Sequence, residues 1–212
     1  MSTASTYYTS IDDVLNFLSL SSGDVDANAL IKAIQMAEAQ IEAESYTCFA
    51  GKPCVSTLEY HSLTTWLGGI WMGAGIPIHL GHKPVRRILR FELFNGSNWL
   101  NMLNYPEGRV SGWWWCKYED AVCYIQTLWW YQGGNEVRIQ YEYGYNELPG
   151  YVRELATLLS ARNYILMERN RLSMLESTQS ISFDRVVEAI DAVVPSLMAR
   201  IRGVGIATGL VG

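Results

Sequence analysis

Few residues in this 212-residue chain are of a type that carries chemistry: three histidines, His61, His79 and His82, and four cysteines, Cys48, Cys54, Cys116 and Cys123. A structural zinc site asks for cysteine knuckles spaced by about two to four residues. Here five residues separate Cys48 from Cys54 and six separate Cys116 from Cys123, so no metal is expected. Four cysteines are too sparse for a disulfide scaffold, and reduced thiols are the expectation. With a turn at Glu119-Asp120, Cys116 falls opposite Cys123. Counting outward makes this a hydrogen-bonded pair with the wide Cα spacing, which predicts two small apolar side chains rather than a disulfide. The chain has no Gly-x-Ser-x-Gly elbow, Walker loop or His-Glu-x-x-His. Gly203, Gly205 and Gly209 imitate a phosphate loop but lack a following helix. Asn95-Gly96-Ser97 reads as a turn before it reads as a glycosylation acceptor. Asp12, Asp13, Glu42 and Glu44 read as helix caps and solvated faces rather than paired catalytic carboxylates. No catalytic residue, metal or cofactor is expected, and the chain reads as a non-enzyme.

The aromatic residues are the unusual group. Trp113-Trp114-Trp115 and Trp129-Trp130 cannot all point to one face of a strand, because consecutive strand residues alternate. Either both faces are covered, one by the domain core and one by helices or another subunit, or an exposed Trp platform stacks sugar rings as in a carbohydrate-binding β-module. The first reading is preferred, since oligomer interfaces are enriched in Trp and Tyr.

The elements that position these residues follow from period and charge. Apolar residues make up 49% of the chain and charged ones 17%, enough for a sizeable core. The formal charge of −5 argues against a broad phosphate-gripping surface. There is no apolar run of membrane-spanning length and no secretory signal, so the chain reads as a non-membrane protein used without export. All eight Trp, and 20 of the 26 aromatics, lie between Tyr46 and Leu148. Residues 1–45 carry seven acids and one Lys, residues 46–148 carry eight charges of each sign, and residues 149–212 carry six acids and seven Arg.

Ser10 caps a short helix running to about Leu20, and Ala27, Leu30, Ile31, Ile34, Ala37 or Glu38, and Ile41 predict an amphipathic helix from Asp24 or Asp26 to near Tyr46. The middle has period 2. Val137-Arg-Ile-Gln-Tyr-Glu-Tyr143 alternates throughout, and Leu89 to Leu93 runs into a two-residue Asn95-Gly96 hairpin that places Glu92 opposite Trp99. Further strands are expected around Val55–Trp66, Arg109–Tyr118 and Ala121–Trp130. After Pro149 the period is helical again. Val152, Leu155, Ala156, Leu159 and Leu166 form one stripe and Leu158, Ala161 and Ile165 a second, so this helix, running to about Arg171, is expected to make a subunit interface through Leu158, Ala161 and Ile165. A last helix from Phe183 should kink or break at Pro195. Residues 203–212 have no periodicity and read as a flexible tail.

In order along the chain, these pieces resemble the head-to-tail adaptor, or head completion, proteins of tailed bacterial and archaeal viruses and of gene transfer agents. The carrying residues are Tyr8-Thr-Ser-Ile-Asp-Asp-Val-Leu-Asn-Phe-Leu18, the Ala33-to-Glu42 run ending in Tyr46-Thr-Cys-Phe49, Lys83-Pro-Val-Arg-Arg-Ile88, and Val137 to Tyr145 followed by Pro149 and a long helix. The resemblance implies a structural virion protein of the neck, assembled in the host cytoplasm. Usually about twelve copies form a ring under the portal, extend the DNA channel and dock the tail or a stopper. Genomic DNA would cross without specific binding, and the portal and the tail or stopper protein would be the partners.

The expected fold is α+β. A helical core of about four helices, 1–48 and 149–202, carries an inserted Trp-rich antiparallel β-sandwich or small barrel, 49–148, and a tail, 203–212. In the family the C-terminal segment often reaches the portal, which points to Val204, Ile206, Leu210 and Val211. The apolar Gly68–Gly81 stretch is expected to place Trp71, Met72 and Ile76 on a neighbouring subunit or partner. Trp113, Trp114, Trp115, Trp129 and Trp130 would form an aromatic contact surface.

Overall fold

The computed structural model describes residues 6–63, 75–126, 136–179 and 182–207. The chain divides into two units, residues 1–52 with 145–204 and residues 53–144 with 205–212.

The first unit is helical. Helix α1, Ile11–Leu18, begins with a capping box in which Ser10 Oγ accepts from Asp13 N–H while the Asp13 carboxylate accepts from Ser10 N–H. Helix α2, Ala27–Ser45, is capped by Asp26, which accepts from Asn28 and Ala29 N–H groups. Helices α3, Gly150–Met167, α4, Arg169–Gln179, and α5, Phe183–Ile201, complete the unit. The expected single helix to about Arg171 is divided: Glu168 leaves helical geometry at ψ 22° and the chain restarts as α4. Pro195, expected to kink or break the last helix, does not break it: α5 continues through it. The apolar positions on either side of it, Ile190, Leu197 and Ile201, remain buried and hold the helix to the core.

Helix α3 packs against α1, α2 and α5. One half of the core gathers Val14, Leu30, Ala33, Ile34, Ala161, Tyr164, Ile165 and Ile190. The other gathers Tyr8, Ala37, Ile41, Phe49, Leu155, Leu159, Leu197 and Ile201. Each fully buried Leu or Ile there contributes roughly 1.5–3 kcal/mol.

The second unit is an antiparallel sandwich. Its strands are β1 Cys54–Val55, β2 Glu59–Ser62, β3 Ile76–His79, β4 Val85–Phe94, β5 Trp99–Asn101, β6 Trp114–Lys117, β7 Val122–Ile125 and β8 Glu136–Tyr143. One sheet runs β1-β8-β4-β5 with β2 also on β8; the other runs β3-β7-β6. The alternation of β8 is realised as written, with Val137, Ile139 and Tyr141 fully buried. Phe91 of the first sheet meets Trp114 of the second edge-to-face at 5.4 Å. The fold is α+β, a helical core with an inserted β-sandwich.

Two registers differ from expectation. The hairpin loop is residues 95–98, closed by Asn95 N–H to Asn98 carbonyl and by the Asn95 side chain accepting from Ser97 and Asn98 N–H groups. Phe94 therefore pairs with Trp99, and Glu92 pairs with Asn101 rather than Trp99. At the β6–β7 hairpin, Gln126 N–H donates to the Trp113 carbonyl. Counting by twos from that bond puts Cys116 and Cys123 at a non-hydrogen-bonded site, where Cα atoms approach most closely. They are 4.0 Å apart and form a disulfide, not the free apolar pair expected. Cys48 and Cys54 are also disulfide-bonded, so the expectation of reduced thiols is overturned as well.

The end of the chain is not free up to residue 207. Ile206 bridges His82 as an antiparallel partner, Lys83 N–H donates to the Gly205 carbonyl at 2.8 Å, and Ala207 is buried in the sandwich core. The expected flexible tail thus begins with a segment held by backbone pairing and one buried methyl group.

Candidate functional site

Two of the N-terminal acids, Glu38 and Glu42, turn inward, while Asp12, Asp13 and Asp26 stay exposed. Glu38 is buried and accepts from the backbone N–H groups of Tyr7, at 2.6 Å, and Tyr8, at 2.9 Å. Tyr8 donates its hydroxyl to Glu42 at 2.8 Å and accepts from Phe49 N–H at 2.9 Å. Lys52 reaches Glu42 at 2.5 Å and Glu38 at 3.9 Å. Burial, reinforced by the nearby Glu42 and Glu38 carboxylates, pushes the Tyr8 hydroxyl far above the usual range against the opposing Phe49 hydrogen bond. Glu44 pairs with Arg202. Glu38 and Glu42 brace the fold, so Glu42 is not the solvated acid the sequence suggested, whereas Glu44 is a solvent-accessible acid in a surface ion pair.

The predicted interface on α3 is corrected. Ala161 and Ile165 are 0% and 2% exposed within their own chain, and Leu158 is half-buried between the two halves of the helical core. The helix is apolar on several faces because α1, α2 and α5 surround it. Of the apolar loop, Ile76 sits on β3, paired with Ile125 and packed on the sandwich core, while Trp71 and Met72 lie outside the described residues.

The described tryptophans do not form a platform. Trp113 stacks on Tyr105 at 4.1 Å, Trp114 is buried and donates its indole N–H to the Tyr105 carbonyl, and Trp115 is buried against Tyr124 at 4.2 Å with Arg109 over its ring. Burial of Trp114 and Trp115 removes these two as a sugar-stacking surface, while Trp113 is half-buried; Trp129 and Trp130 lie outside the described residues. Of the tail residues, Val204 is half-buried, Ile206 keeps an exposed side chain, and Leu210 and Val211 lie outside the described residues.

The sequence reading missed a polar cluster around Glu59. Its carboxylate accepts from the Tyr141 hydroxyl at 2.6 Å and from Gly81 N–H, and it faces His61 at 3.3 Å and His82 at 3.9 Å. Burial pushes this carboxyl up, but the hydrogen bonds from His61, His82, Tyr141 and Gly81 outweigh it and bring it down to about 2. Burial, and then Glu59, push the Tyr141 hydroxyl far upward. A carboxylate this committed to the ionised form does not exchange protons near neutrality. Its role is to tie β2, the 80–82 turn and β8 together, and the same turn holds Ile206. The partners lie 22 and 82 residues from Glu59, a separation that local spacing does not reveal.

On the outer face of the larger sheet, Tyr60 opposes Arg138, whose guanidinium lies 4.2 Å from the Trp99 ring and pairs with Glu92, which also holds Arg90. This row fixes side chains in place but contains no nucleophile set against a base.

No family model matches the chain and no curated protein matches it. Among solved structures, a chain in the virion of a native gene transfer agent particle superposes with a TM-score of 0.50 at 17% identity, covering 93% of this chain and 90% of that one. A chain in the neck of an empty gene transfer agent particle superposes with a TM-score of 0.45 at 19% identity, covering 93% and 91%. At 17% identity, the likeness to the virion chain is one of fold.

Proposed function

We propose that this chain is a structural protein of the neck of a tailed, phage-like particle: a head-to-tail adaptor whose copies ring the DNA channel beneath the portal and receive the tail or a stopper. The observation that carries this reading is the fold, shared over 93% of the chain with a gene transfer agent virion protein. The order of sequence elements from Tyr8 to the long helix after Pro149 supports it independently. With about twelve copies around the channel, the internally neutralised acids of α2 would present little free charge, so DNA could pass without being gripped.

The portal contact is assigned to the end of the chain, where Ile206 is exposed beside the segment that carries Leu210 and Val211. Purified portal complexes mixed with the full chain should co-sediment with it. Removing residues 208–212 should abolish that association while leaving the thermal midpoint unchanged. A full chain that ignores portal complexes but is retarded by a polysaccharide gel would sink the proposal.

A further inference from the structure

Two outward helix faces of the helical unit are built mostly of short side chains and carry a few unpaired charges. On α2 the exposed residues are Lys32, Gln35, Met36, Ala39, Gln40 and Ala43, because Glu38, Glu42 and Glu44 are engaged by Tyr8, Lys52 and Arg202. On α5 one exposed face runs Arg185, Glu188, Ala189, Ala192, Ser196 and Ala199, flanked by exposed Val193 and Pro195 and by Asp184, Asp191 and Arg200, which are engaged by Arg169, Arg162 and the Tyr151 ring. Met36 is 49% and Val193 44% exposed. Among the described residues, Lys32, Arg185 and Glu188 have no ion-pair partner.

The two helices run in the same direction at the same level. Both are 19 residues long. Their C-terminal ends meet where Arg202 pairs with Glu44 and Gly203 N–H donates to the Glu44 carbonyl. Their N-terminal halves share one core cluster, Leu30 and Ile34 with Phe183 and Ile190, and their C-terminal halves share another, Ile41 with Leu197 and Ile201. Counting back equally from Glu44 and Arg202 sets Asp26 level with Arg185 to within one residue. Lys32 is level with Glu188 to within two, about 3 Å of rise. Met36 comes level with Val193, and Ala39 with Ser196, each to within one residue.

We infer that copies of this chain associate side by side, the outer face of α2 on one copy packing along the outer face of α5 on the next, with Asp26 facing Arg185 and Lys32 facing Glu188. A rotation about an axis parallel to the helices keeps their levels, and so brings an acid-then-base order on α2 against a base-then-acid order on α5. The short side chains let the helix axes approach closely. The contact joins two different surfaces, so it repeats head to tail and forms a ring where the rotation closes. Packing α2 against α2 of another copy in antiparallel fashion would set Lys32 against uncharged Ala39 and Gln40. The inference deepens the neck reading by naming the faces between copies, and it rests on that reading for closure into a ring.

Sedimentation of the full chain over a range of concentrations tests it. The wild-type chain should self-associate. K32E alone and E188K alone should weaken association by roughly tenfold or more through like-charge opposition, at unchanged thermal midpoint because both side chains are exposed. The K32E/E188K double variant should associate again. So should an equimolar mixture of the two single variants, whose faces match only in alternation. A192W should block association sterically. Self-association indifferent to both charge reversals overturns this interface, as does a wild-type chain that stays monomeric throughout. Loss of portal binding with association intact strikes the neck reading alone.

Discussion

Glu59 shows how a single carboxylate can hold a fold together without doing chemistry. Its ordinary value is 4.5 and in the folded chain it lies at about 2. The unfolded chain therefore binds more protons through that interval, and the stability this group contributes is complete above about pH 4.5 and lost as pH falls toward 2. The shift corresponds to about 3 kcal/mol at 1.36 per unit, reduced to about 2 by solvent screening of a partly accessible group. Thermal or denaturant unfolding between pH 5 and 2 should show this loss in the wild-type chain, and E59Q should be less stable at pH 7 with a flatter acid limb. The sequence placed Glu59 and His61 only inside an expected strand around Val55–Trp66. The hydroxyl and amide that make the site, on Tyr141 and Gly81, are set by strand pairing that residue spacing does not encode. Cys116 and Cys123 make the same point. Their opposition was legible, but whether they faced each other across a close or a wide pair depended on which residues closed the hairpin.

Among the elements, those with unbroken periodicity were readable and those defined by their neighbours were not. Both N-terminal helices and the β8 strand follow from caps and spacing, and Ser10 is the cleanest case. S10A removes the acceptor for Asp13 N–H and should cost about 1 kcal/mol, measured as a lowered unfolding midpoint with the α-helical signal of the native state retained. The α3 helix is the contrary case. Its two apolar stripes were read as one for the core and one for a neighbour, yet α1, α2 and α5 of the same chain take up both. Periodicity reports how many sides of a helix are dry, not whose residues dry them. Ile165→Ala should therefore behave as a core truncation, costing about 2–4 kcal/mol in equilibrium unfolding. An effect confined to self-association would return Ile165 to an interface role. The faces now assigned to contact between copies carry alanine, serine and amide side chains, which no hydropathy pattern marks.

At the level of the whole molecule, both units are built from two pieces of chain: the helical one from residues 1–52 and 145–204, the sandwich from 53–144 and 205–212. The bipartite helical core was legible because the period changed from 3.6 to 2 and back. The return of the last residues to the sandwich was not, since a glycine-rich stretch without periodicity looks the same whether bound or free. The structure makes residues 205–207 part of the sandwich. Ending the chain after Val204 should lower the unfolding midpoint of the β unit, removing the Lys83–Gly205 and His82–Ile206 pairing and the buried Ala207, whereas ending it after Ala207 should not. Differential scanning calorimetry of the two truncations separates these outcomes.

This connectivity has a consequence for synthesis. A ribosome releases β1 to β8 before α3, yet residues 205–207, which finish the sandwich, emerge only after α5; α1 and α2 likewise wait for α3 to α5. Neither unit can complete itself co-translationally from its own first segment. The same terminal stretch that finishes the sandwich also leads into the segment proposed to meet the portal. A copy that stops before Gly205 lacks both the residues that finish the sandwich and the segment proposed to meet the portal.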